Sequence, residues 1–210
     1  VMDLAADLLS GKKIAFVIGH GILQRKGADK VLAAVLNLSL MSGSLGSGRG
    51  SIFMVSKENN QQGAMDMGAC PDLLPGRQAI DNSGLREIWE QNWKTKLCPD
   101  PGFNMSEMIG AAEDGTLKAL YIMGENPLSA LPQRERVKQA LKKLDFIVVQ
   151  DILRSETAAM ANVVLAGAAM AEKEGTFTNL EGRIQPFYPV VSPPGKATAD
   201  WKILDQLYAR

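Results

Sequence analysis

The sequence predicts an α/β fold with a doubly wound, mostly parallel β-sheet. Strand-like and helix-like segments alternate through the second half of the chain, and such alternation is typical of parallel strands joined by right-handed crossovers. The strand-like segments are nearly continuous in apolar residues, which is expected where helices cover both faces of a sheet. A third indication is the apolar run at residues 14–18, which opens directly into a glycine turn at residues 19–21.

The first half of the chain is predicted to begin with a short helix and then a strand, a turn and a second helix. Apolar residues at positions 4, 8 and 9 have helical spacing, and the strand follows at residues 14–18. Apolar positions keep a helical period from residue 29 to residue 41, and Gly43 is a suitable residue to end that helix.

Residues 42–75 show no sustained periodicity and are rich in glycine and polar amides. Loops of this length inside a compact domain are usually functional. The segment also carries apolar residues, such as Ile52, Phe53 and Met54, which are unusual in a solvated tether. We therefore expect an ordered, glycine-rich loop that lines a ligand.

The second half of the chain is predicted to alternate between helices and strands before it ends in a hairpin and a helix. Helical patterns occur at residues 85–93 and 105–112. The predicted order after them is strand 117–123, helix 133–144, strand 145–150, helix 155–161, strand 163–166, a hairpin within 175–188 and a helix from residue 199 onwards.

Composition and charge argue against several classes of function. The 210 residues are 46% hydrophobic, enough for a substantial core, and 23 basic residues balance 23 acidic ones. A chain without excess positive charge has no general affinity for nucleic acid. The apolar runs have the length of strands, so we expect no direct insertion into a membrane.

A metal centre built from this chain is not expected. Cys70 and Cys98 lie far apart in sequence, and His20 is the single histidine. This spacing fits neither a disulfide framework nor a set of metal ligands.

Polar and glycine residues follow the predicted strands at the edge where ligands collect in parallel sheets. Asn126, Gln150 and Asp151 can form hydrogen bonds with ribose or a base, and glycines allow a phosphate to approach the backbone closely. The turn that begins at Gly19 lacks the third glycine of the dinucleotide fingerprint, and no GxxxxGK[ST] motif occurs. The pattern therefore favours a nucleotide site that is neither an ordinary NAD site nor a P-loop.

Four motifs, in the correct order, resemble those of the molybdopterin oxidoreductase family. Residues 57–68 (KENNQQGAMDMG) resemble its N-N-x-Q-G-A-x-D-M-G loop, and residues 124–127 (GENP) resemble its G-E-[DN]-P turn. Residues 146–151 (FIVVQD), with Thr157 and Ala158, are similar to its V-V-Q-D-x-x-x-T-E/K-T-A segment. Residues 171–185 (AEKEGTFTNLEGRIQ) are similar to its A-E-K-x-G-T-F-T-N-x-E-R-R-x-Q run.

The resemblance implies that residues 1–210 form a single Rossmann-like domain from a larger chain. In the family, this domain holds the guanosine end of one of two molybdopterin guanine dinucleotides. The residues expected to contact that cofactor are Gly19, Gly21, Asn60, Gly63, Gly124, Asn126, Gln150, Asp151, Glu172, Thr176 and Thr178. No catalytic or metal-ligating residue is expected within the chain, so the fragment alone should carry no cofactor and should be inactive.

Two functions suit the resemblance. The chain is either the cofactor-binding domain of an oxidoreductase of the formate dehydrogenase type or a cofactor-free structural domain of the large iron–sulfur subunit of NADH-quinone oxidoreductase. Formate dehydrogenases have an arginine three residues before the first asparagine of the loop, where this chain has Ser56, and this departure favours the second reading.

Both readings imply the same kinds of partner, namely other domains of the same polypeptide and iron–sulfur electron-transfer subunits. Nucleic acid is not among the expected partners. We expect the parent protein in the cytoplasm or at the cytoplasmic face of a membrane complex, with the periplasm as an open alternative.

Overall fold

The computed structural model describes residues 2–10, 14–45 and 51–209. The chain divides into two compact units, one formed by residues 1–64 and 177–185 and the other by residues 65–176 and 186–210. None of the helices in the described ranges is long and apolar enough to cross a membrane.

The first unit contains a pair of parallel strands. Its elements are α1 (Met2–Leu9), β1 (Ala15–Ile18), α2 (His20–Leu23), α3 (Ala28–Met41), β2 (Ser51–Met54) and α4 (Gln61–Asp66), which runs past the boundary of the unit. β1 and β2 pair in parallel, from Ala15 opposite Ser51 to Ile18 opposite Met54. Gly27 has a φ of 86°, a left-handed conformation that suits glycine, and α3 starts directly after it.

The second unit is built around a three-stranded parallel sheet. Its elements are β3 (Leu73–Leu74), β4 (Gln78–Ala79), α5 (Ser83–Trp93), α6 (Met105–Asp114), β5 (Ala119–Met123), α7 (Pro127–Ala130), α8 (Arg134–Lys142), β6 (Phe146–Asp151) and β7 (Val163–Ala166). β6 is the central strand of this sheet, between β5 and β7. Met123 therefore lies opposite Gln150 on one side, and Ala166 lies opposite Asp151 on the other.

The C-terminal part of the chain contains a hairpin and a helix. β8 (Gly175–Thr178) and β9 (Ile184–Phe187) form a two-stranded sheet, and α9 (Asp200–Tyr208) follows. Between them, Thr198 extends the edge beyond β7: its N–H donates to Ala166 O at 3.0 Å, and its carbonyl accepts from Ala168 N at 2.9 Å. This bridge brings the first turn of α9 to the C-terminal edge of the parallel sheet.

One face of the three-stranded sheet packs against helices and forms the core. The core combines apolar residues of α6, α7, α8, β5, β6 and a 3-10 turn: Ile109, Ala112, Ile122, Leu128, Val137, Ala140, Leu141, Leu144, Ile147, Val149 and Ala158. α6 is well placed to pack there because both of its ends are satisfied. Asn104 and Glu107 cap its start reciprocally, and Gly115 ends it at a φ of 80°.

The mixed α/β class with parallel strands is confirmed, and the predicted strands and longer helices are present with shifts of a few residues. The segment expected to be irregular, residues 42–75, contains β2 and α4, although its residues 46–50 lie outside the described part of the chain. β2 was missed because a four-residue strand flanked by glycines and charges has too few positions to show a period. The predicted helix at 155–161 is only a 3-10 turn, Ala158–Met160.

The pairing of the strands also differs from the prediction. We expected the first predicted strand in one sheet with the later ones, whereas hydrogen bonds between described residues join β1 to β2 and join β5, β6 and β7 separately. Tyr121, Met123 and Phe146 are exposed on the sheet face opposite the core, so both-face coverage is not seen for these strands. Apolar runs alone could not reveal this, because they do not say which strand lies next to which.

The core predicts a large effect for Leu141, which is completely buried. Leu141→Ala should lower the free energy of unfolding by about 2–5 kcal/mol, because the change removes apolar contacts and leaves a cavity. Leu204→Ala on α9 is the matched control, since Leu204 is 42% exposed, and should cost about 0.5 kcal/mol or less. Urea unfolding followed by circular dichroism measures both, and equal losses for the two variants would contradict the assignment of the core.

Candidate cofactor-binding site

Four of the predicted site residues meet at the C-terminal edge of the three-stranded sheet. Gly124 and Asn126 follow β5, and Gln150 and Asp151 end the central strand β6. Parallel strands end at the same edge, so the structure brings together residues that lie more than twenty positions apart in sequence.

Gly124 forms a left-handed turn directly after β5. Its φ is 64°, which glycine adopts without strain, and its N–H donates to the main-chain oxygen of Gln150 at 2.8 Å. No described atom lies within 4 Å of the position that a Cβ would take. The hydrogen bond to β6 therefore holds the turn in place, and the space around the α-carbon of Gly124 is open.

Asn126 is tied into the fold by its side-chain oxygen. Its Oδ1 accepts a hydrogen bond from the hydroxyl of Thr157 at 2.6 Å, and Thr157 is completely buried. Its main-chain oxygen accepts from Ser129 N and Ala130 N, both at 2.9 Å, at the start of α7. The main-chain N–H of Asn126 donates to Glu125 Oε1 at 2.7 Å. The side-chain nitrogen Nδ2 is the group left for a ligand, since no described residue accepts from it.

Asp151, at the end of β6, has a carboxylate in which one of the two oxygens accepts main-chain hydrogen bonds. Its Oδ1 accepts from Ile152 N at 2.7 Å and, at the longer distance of 3.4 Å, from Leu153 N. Its Oδ2 has no donor among the residues that the structure describes. The two main-chain donors fix the orientation of the carboxylate and leave one oxygen to accept from a ligand.

Gln150 has a different position from its neighbours because its side chain is completely buried. Its Oε1 accepts a hydrogen bond from the hydroxyl of Tyr121, and its Nε2 donates to Asp200 Oδ1 at 2.8 Å. A buried amide is costly unless such bonds satisfy it. The side chain therefore supports the edge from within the fold and does not face open solvent.

Asp200 is a carboxylate at the same edge that was not predicted as a site residue. Burial favours its protonated form, but hydrogen bonds from Lys173 and Gln150 outweigh burial and lower the pKa of the Asp200 carboxyl. Burial, together with the nearby charge of Asp200, raises the pKa of Tyr121. At neutral pH the cluster therefore contains an ionised Asp200 paired with Lys173 and a neutral Tyr121, and both Asp200 and Tyr121 form hydrogen bonds with the Gln150 amide.

A second group of predicted residues lies in the first unit. Asn60 Oδ1 accepts a hydrogen bond from Thr178 N at 2.9 Å. A Cβ on Gly63 would lie 2.5 Å from Asn60 Oδ1 and 3.0 Å from Thr178 Oγ1. Gly63 is therefore required by the close packing of α4 against this hydrogen bond.

The remaining predicted residues are not brought into either group by hydrogen bonds. Glu172 Oε2 accepts from Ala169 N at 2.9 Å within a 3-10 turn, and Thr176 is exposed on β8. Gly19 precedes α2, Gly21 lies within it, and both face open space.

One cavity lies beside Asp200 and Glu172, another borders Thr178 of the second group, and a third contains no predicted residue. A cavity of about 360 Å³ next to Asp200 is lined by Glu172, Lys173, Thr198, Trp201 and Lys202 among others. A smaller one of about 190 Å³ is lined by residues that include Ser56, Asn59 and Thr178. A cavity of about 440 Å³ at the end of α5 contains none of the predicted residues, so volume alone does not locate the site.

Comparison with known proteins decides the family. A family model described as molybdopterin oxidoreductase matches residues 2–210. The chain belongs to the molybdopterin oxidoreductase family.

Relatives of this molybdopterin oxidoreductase domain align with almost all of it. The F420-dependent formate dehydrogenase subunit alpha of Methanocaldococcus jannaschii is 41% identical over 99% of this chain and 30% of that relative. The NADPH-Fe(3+) oxidoreductase subunit alpha of Geobacter sulfurreducens is 39% identical over 98% of this chain and 24% of the relative. Formate dehydrogenase H of Escherichia coli is 33% identical over 100% of the chain and 30% of the relative.

The chain thus spans less than a third of the length of these relatives. Among solved structures, acetylene hydratase from Pelobacter acetylenicus matches with a TM-score of 0.47 and 23% identity, over 61% of this chain and 19% of that one. That likeness is too slight to carry an argument about the fold.

Sequence reasoning about this molybdopterin oxidoreductase domain missed the residues that hold its edge together. Thr157 was read only as part of a motif, and Tyr121 and Asp200 were read only as a strand residue and a helix residue. A polar residue at the first turn of a final helix is a common helix start, so Asp200 carried no distinctive signal. Ser56, in the loop where formate dehydrogenases have arginine, donates from Oγ to Glu58 O at 2.7 Å.

The packing of Gly63 in this molybdopterin oxidoreductase domain can be tested against that of Gly21. Gly63→Ala should lower the free energy of unfolding by about 1–3 kcal/mol, because the new methyl group would displace the Asn60 side chain from Thr178. Gly21→Ala should be neutral or slightly stabilising, because Gly21 is helical and open. Chemical unfolding of both variants measures the difference, and a destabilised Gly21→Ala with an unaffected Gly63→Ala would reverse our assignment.

The Asp200 ion pair predicts a dependence of stability on pH. Because the folded pKa of Asp200 lies below its ordinary value, ionised Asp200 stabilises the fold above about pH 4, and this contribution is lost as the pH falls through the folded pKa. Asp200→Asn should therefore be less stable than the wild type near pH 7, and the difference should shrink in acid. Unfolding at several pH values tests this, with Asp205→Asn on the exposed side of α9 as the control that should change little; a difference independent of pH would refute it.

Proposed function

We propose that the chain is a single cofactor-binding domain of a formate dehydrogenase-like molybdopterin oxidoreductase, and that the edge of the three-stranded sheet holds the guanosine end of a molybdopterin guanine dinucleotide. The observation that carries the proposal is the Asp151 carboxylate. One of its oxygens is fixed by main-chain N–H groups, and no described residue donates to the other. A carboxylate with one free acceptor is suited to the N1 and N2 donors of guanine.

The other residues of the edge fit such a group. The open left-handed turn at Gly124 leaves room for a nucleotide to approach the backbone, and the side-chain nitrogen Nδ2 of Asn126 is available as a donor. Gly167 and Asp200 lie close together at this edge, since a Cβ on Gly167 would lie 3.1 Å from Asp200 Oδ1. The donor and acceptor set therefore suits a nucleoside, and its position at the end of parallel strands is the usual one.

The contribution of this chain to catalysis is to bind and orient. The bound cofactor would supply the redox chemistry. Asp151 would select the base, and Gly124 and Asn126 would place the nucleoside against the backbone. No proton transfer is assigned to these residues.

The proposal extends to the parent protein through its relatives. Two of the three relatives described above are named as formate dehydrogenases, which favours oxidation of formate as the parent reaction. All three names refer to an oxidoreductase or dehydrogenase, and two refer to a subunit alpha, which supports other subunits as partners. The greater length of the relatives supports further domains, and we propose that the partner subunits carry iron–sulfur clusters for electron transfer. The proposal includes a Rossmann-like, doubly wound arrangement and a role in cofactor binding for residues 51–75 of the glycine-rich segment.

The remaining site residues have subsidiary roles in this proposal. Gly19, Gly21, Glu172 and Thr176 are retained in the proposal as candidate cofactor contacts. Asn60, Gly63 and Thr178 would shape the loop, because Thr178 N donates to Asn60 Oδ1 and Gly63 packs closely against that side chain. The alternative function, a cofactor-free structural domain, would leave all of these contacts without a ligand.

Substitution of Asp151 tests the proposal through base selectivity. Asp151→Asn keeps an oxygen for the N–H of Ile152 but replaces the free acceptor by an NH2 group. GMP should bind the wild type more tightly than AMP. The substitution should lower the affinity for GMP by roughly ten- to a hundredfold, since one lost hydrogen bond in a buried site costs about 1–3 kcal/mol, and should leave the affinity for AMP unchanged. Calorimetric or NMR titration with both nucleotides measures the effect.

Asp205→Asn is the control for a loss of one surface charge and should leave both affinities as they are. Equal binding of GMP and AMP to the wild type, or an Asp151→Asn variant that binds GMP normally, would remove Asp151 from the site. No binding of either nucleotide at millimolar concentration would favour the cofactor-free domain.

A further inference from the structure

The end of α9 that carries Asp200 is held against the proposed nucleotide edge by main-chain hydrogen bonds. Thr198 pairs with the chain on both sides of Gly167, and Asp200 follows two residues later. Asp200 Oδ1 lies 3.1 Å from the position of a Cβ on Gly167. Gly167 N also donates to Asp151 O at 3.0 Å, so Asp200 stands directly beside the end of the central strand.

A continuous series of hydrogen bonds leads from Asp200 to the Gly124 turn. Asp200 Oδ1 accepts from Gln150 Nε2 at 2.8 Å, and the main-chain oxygen of the same glutamine accepts from Gly124 N at 2.8 Å. The Gln150 side chain is completely buried and is held at its other end by Tyr121. Its orientation is therefore set by these two partners and not by solvent.

The two oxygens of Asp200 have separate partners. Oδ1 accepts from Gln150, whereas Oδ2 forms an ion pair with Lys173. The Asp200 side chain is 29% exposed, so solvent can partly screen the charge if the lysine is removed. The hydrogen bond to Gln150 and the ion pair to Lys173 can therefore be removed one at a time by substitution.

We propose that Asp200 is a positioning residue of the nucleotide edge, which acts through Gln150 to hold the Gly124 turn in its left-handed conformation. This inference rests on the proposed function, because it concerns the same edge. Asp200 does not contact the nucleotide. It keeps Gln150, the last residue but one of the central strand, in place, so that the main-chain oxygen of Gln150 continues to accept from Gly124 and the next residue, Asp151, keeps its direction.

Hydrogen exchange at individual amides tests this directly. Asp200→Ala should lower the protection of the Gly124 amide by about tenfold or more relative to that of Ile147, which lies near the start of the same strand and donates to Asn162 Oδ1 at 2.7 Å. A loss of global stability would lower the protection of both amides together, so their ratio separates positioning from general destabilisation.

Two matched variants complete the design. Asp200→Asn keeps an acceptor for Gln150 and should keep the ratio within about twofold of the wild type, which is rescue by a conservative change. Lys173→Met removes only the ion pair, so the ratio of Gly124 to Ile147 protection should also stay within about twofold of the wild type. If Asp200→Ala does not fold, Asp200→Ser replaces it, because serine suits a helix start but is too short to reach Gln150.

Each outcome decides the proposal. A low Gly124 ratio in Asp200→Ala or Asp200→Ser, with rescue by asparagine, supports it. An unchanged ratio in the alanine variant, an equal loss in Lys173→Met, or failure of both Asp200→Ala and Asp200→Ser to fold would overturn it, because Asp200 would then serve the fold as a whole. Nucleotide titration of the same variants is read separately: if the wild type binds no GMP, the proposed function fails, while the exchange ratio still decides whether Asp200 positions the edge.

Discussion

The buried amide of Gln150 sets the conditions for the rest of the second unit. It is the last residue but one of the central strand of a parallel sheet, next to the C-terminal edge at which main-chain groups beyond the ladder need other partners. Its side chain is fully buried and would be costly there without hydrogen bonds, so a hydroxyl from β5 and a carboxylate from α9 must reach it. The positions of Tyr121 and Asp200, and through Asp200 that of α9, follow from this requirement.

The glycines of the chain divide by physical cause. Gly124 has a left-handed conformation that suits glycine, whereas a Cβ on Gly63 would lie only 2.5 Å from Asn60 Oδ1, too close for the present packing. Gly167 is an intermediate case, because a Cβ there would lie 3.1 Å from Asp200 Oδ1. Gly19 and Gly21 have ordinary conformations and open surroundings, so neither strain nor packing requires glycine at these two positions. Gly63 and Gly124 both belong to family motifs, and only the coordinates show that Gly63 supports the packing whereas the turn at Gly124 has open surroundings.

Membership of the molybdopterin oxidoreductase family and the geometry of the edge describe different things. The family match covers residues 2–210, and the relatives are several times longer than this chain. A domain of this kind contributes recognition, and its acceptors, donors and open turns are consistent with that role. Among the described residues, no group of three or more His, Cys, Asp or Glu side chains could hold a metal ion.

The sequence by itself determined the α/β class, the approximate limits of the longer elements and the family, because apolar periodicity and motif residues are local properties of the chain. It also placed Gly124, Asn126, Gln150 and Asp151 at strand ends, since a strand and the loop after it are continuous in sequence. Only the tertiary structure decided that β1 pairs with β2, that Gln150 is buried and that Asn126 is bound by Thr157. These facts depend on contacts between residues far apart in sequence, such as Gln150 and Asp200, which are fifty positions apart. Such contacts leave no periodic signal in the sequence, because a hydrogen bond constrains where two groups meet and not the residues between them.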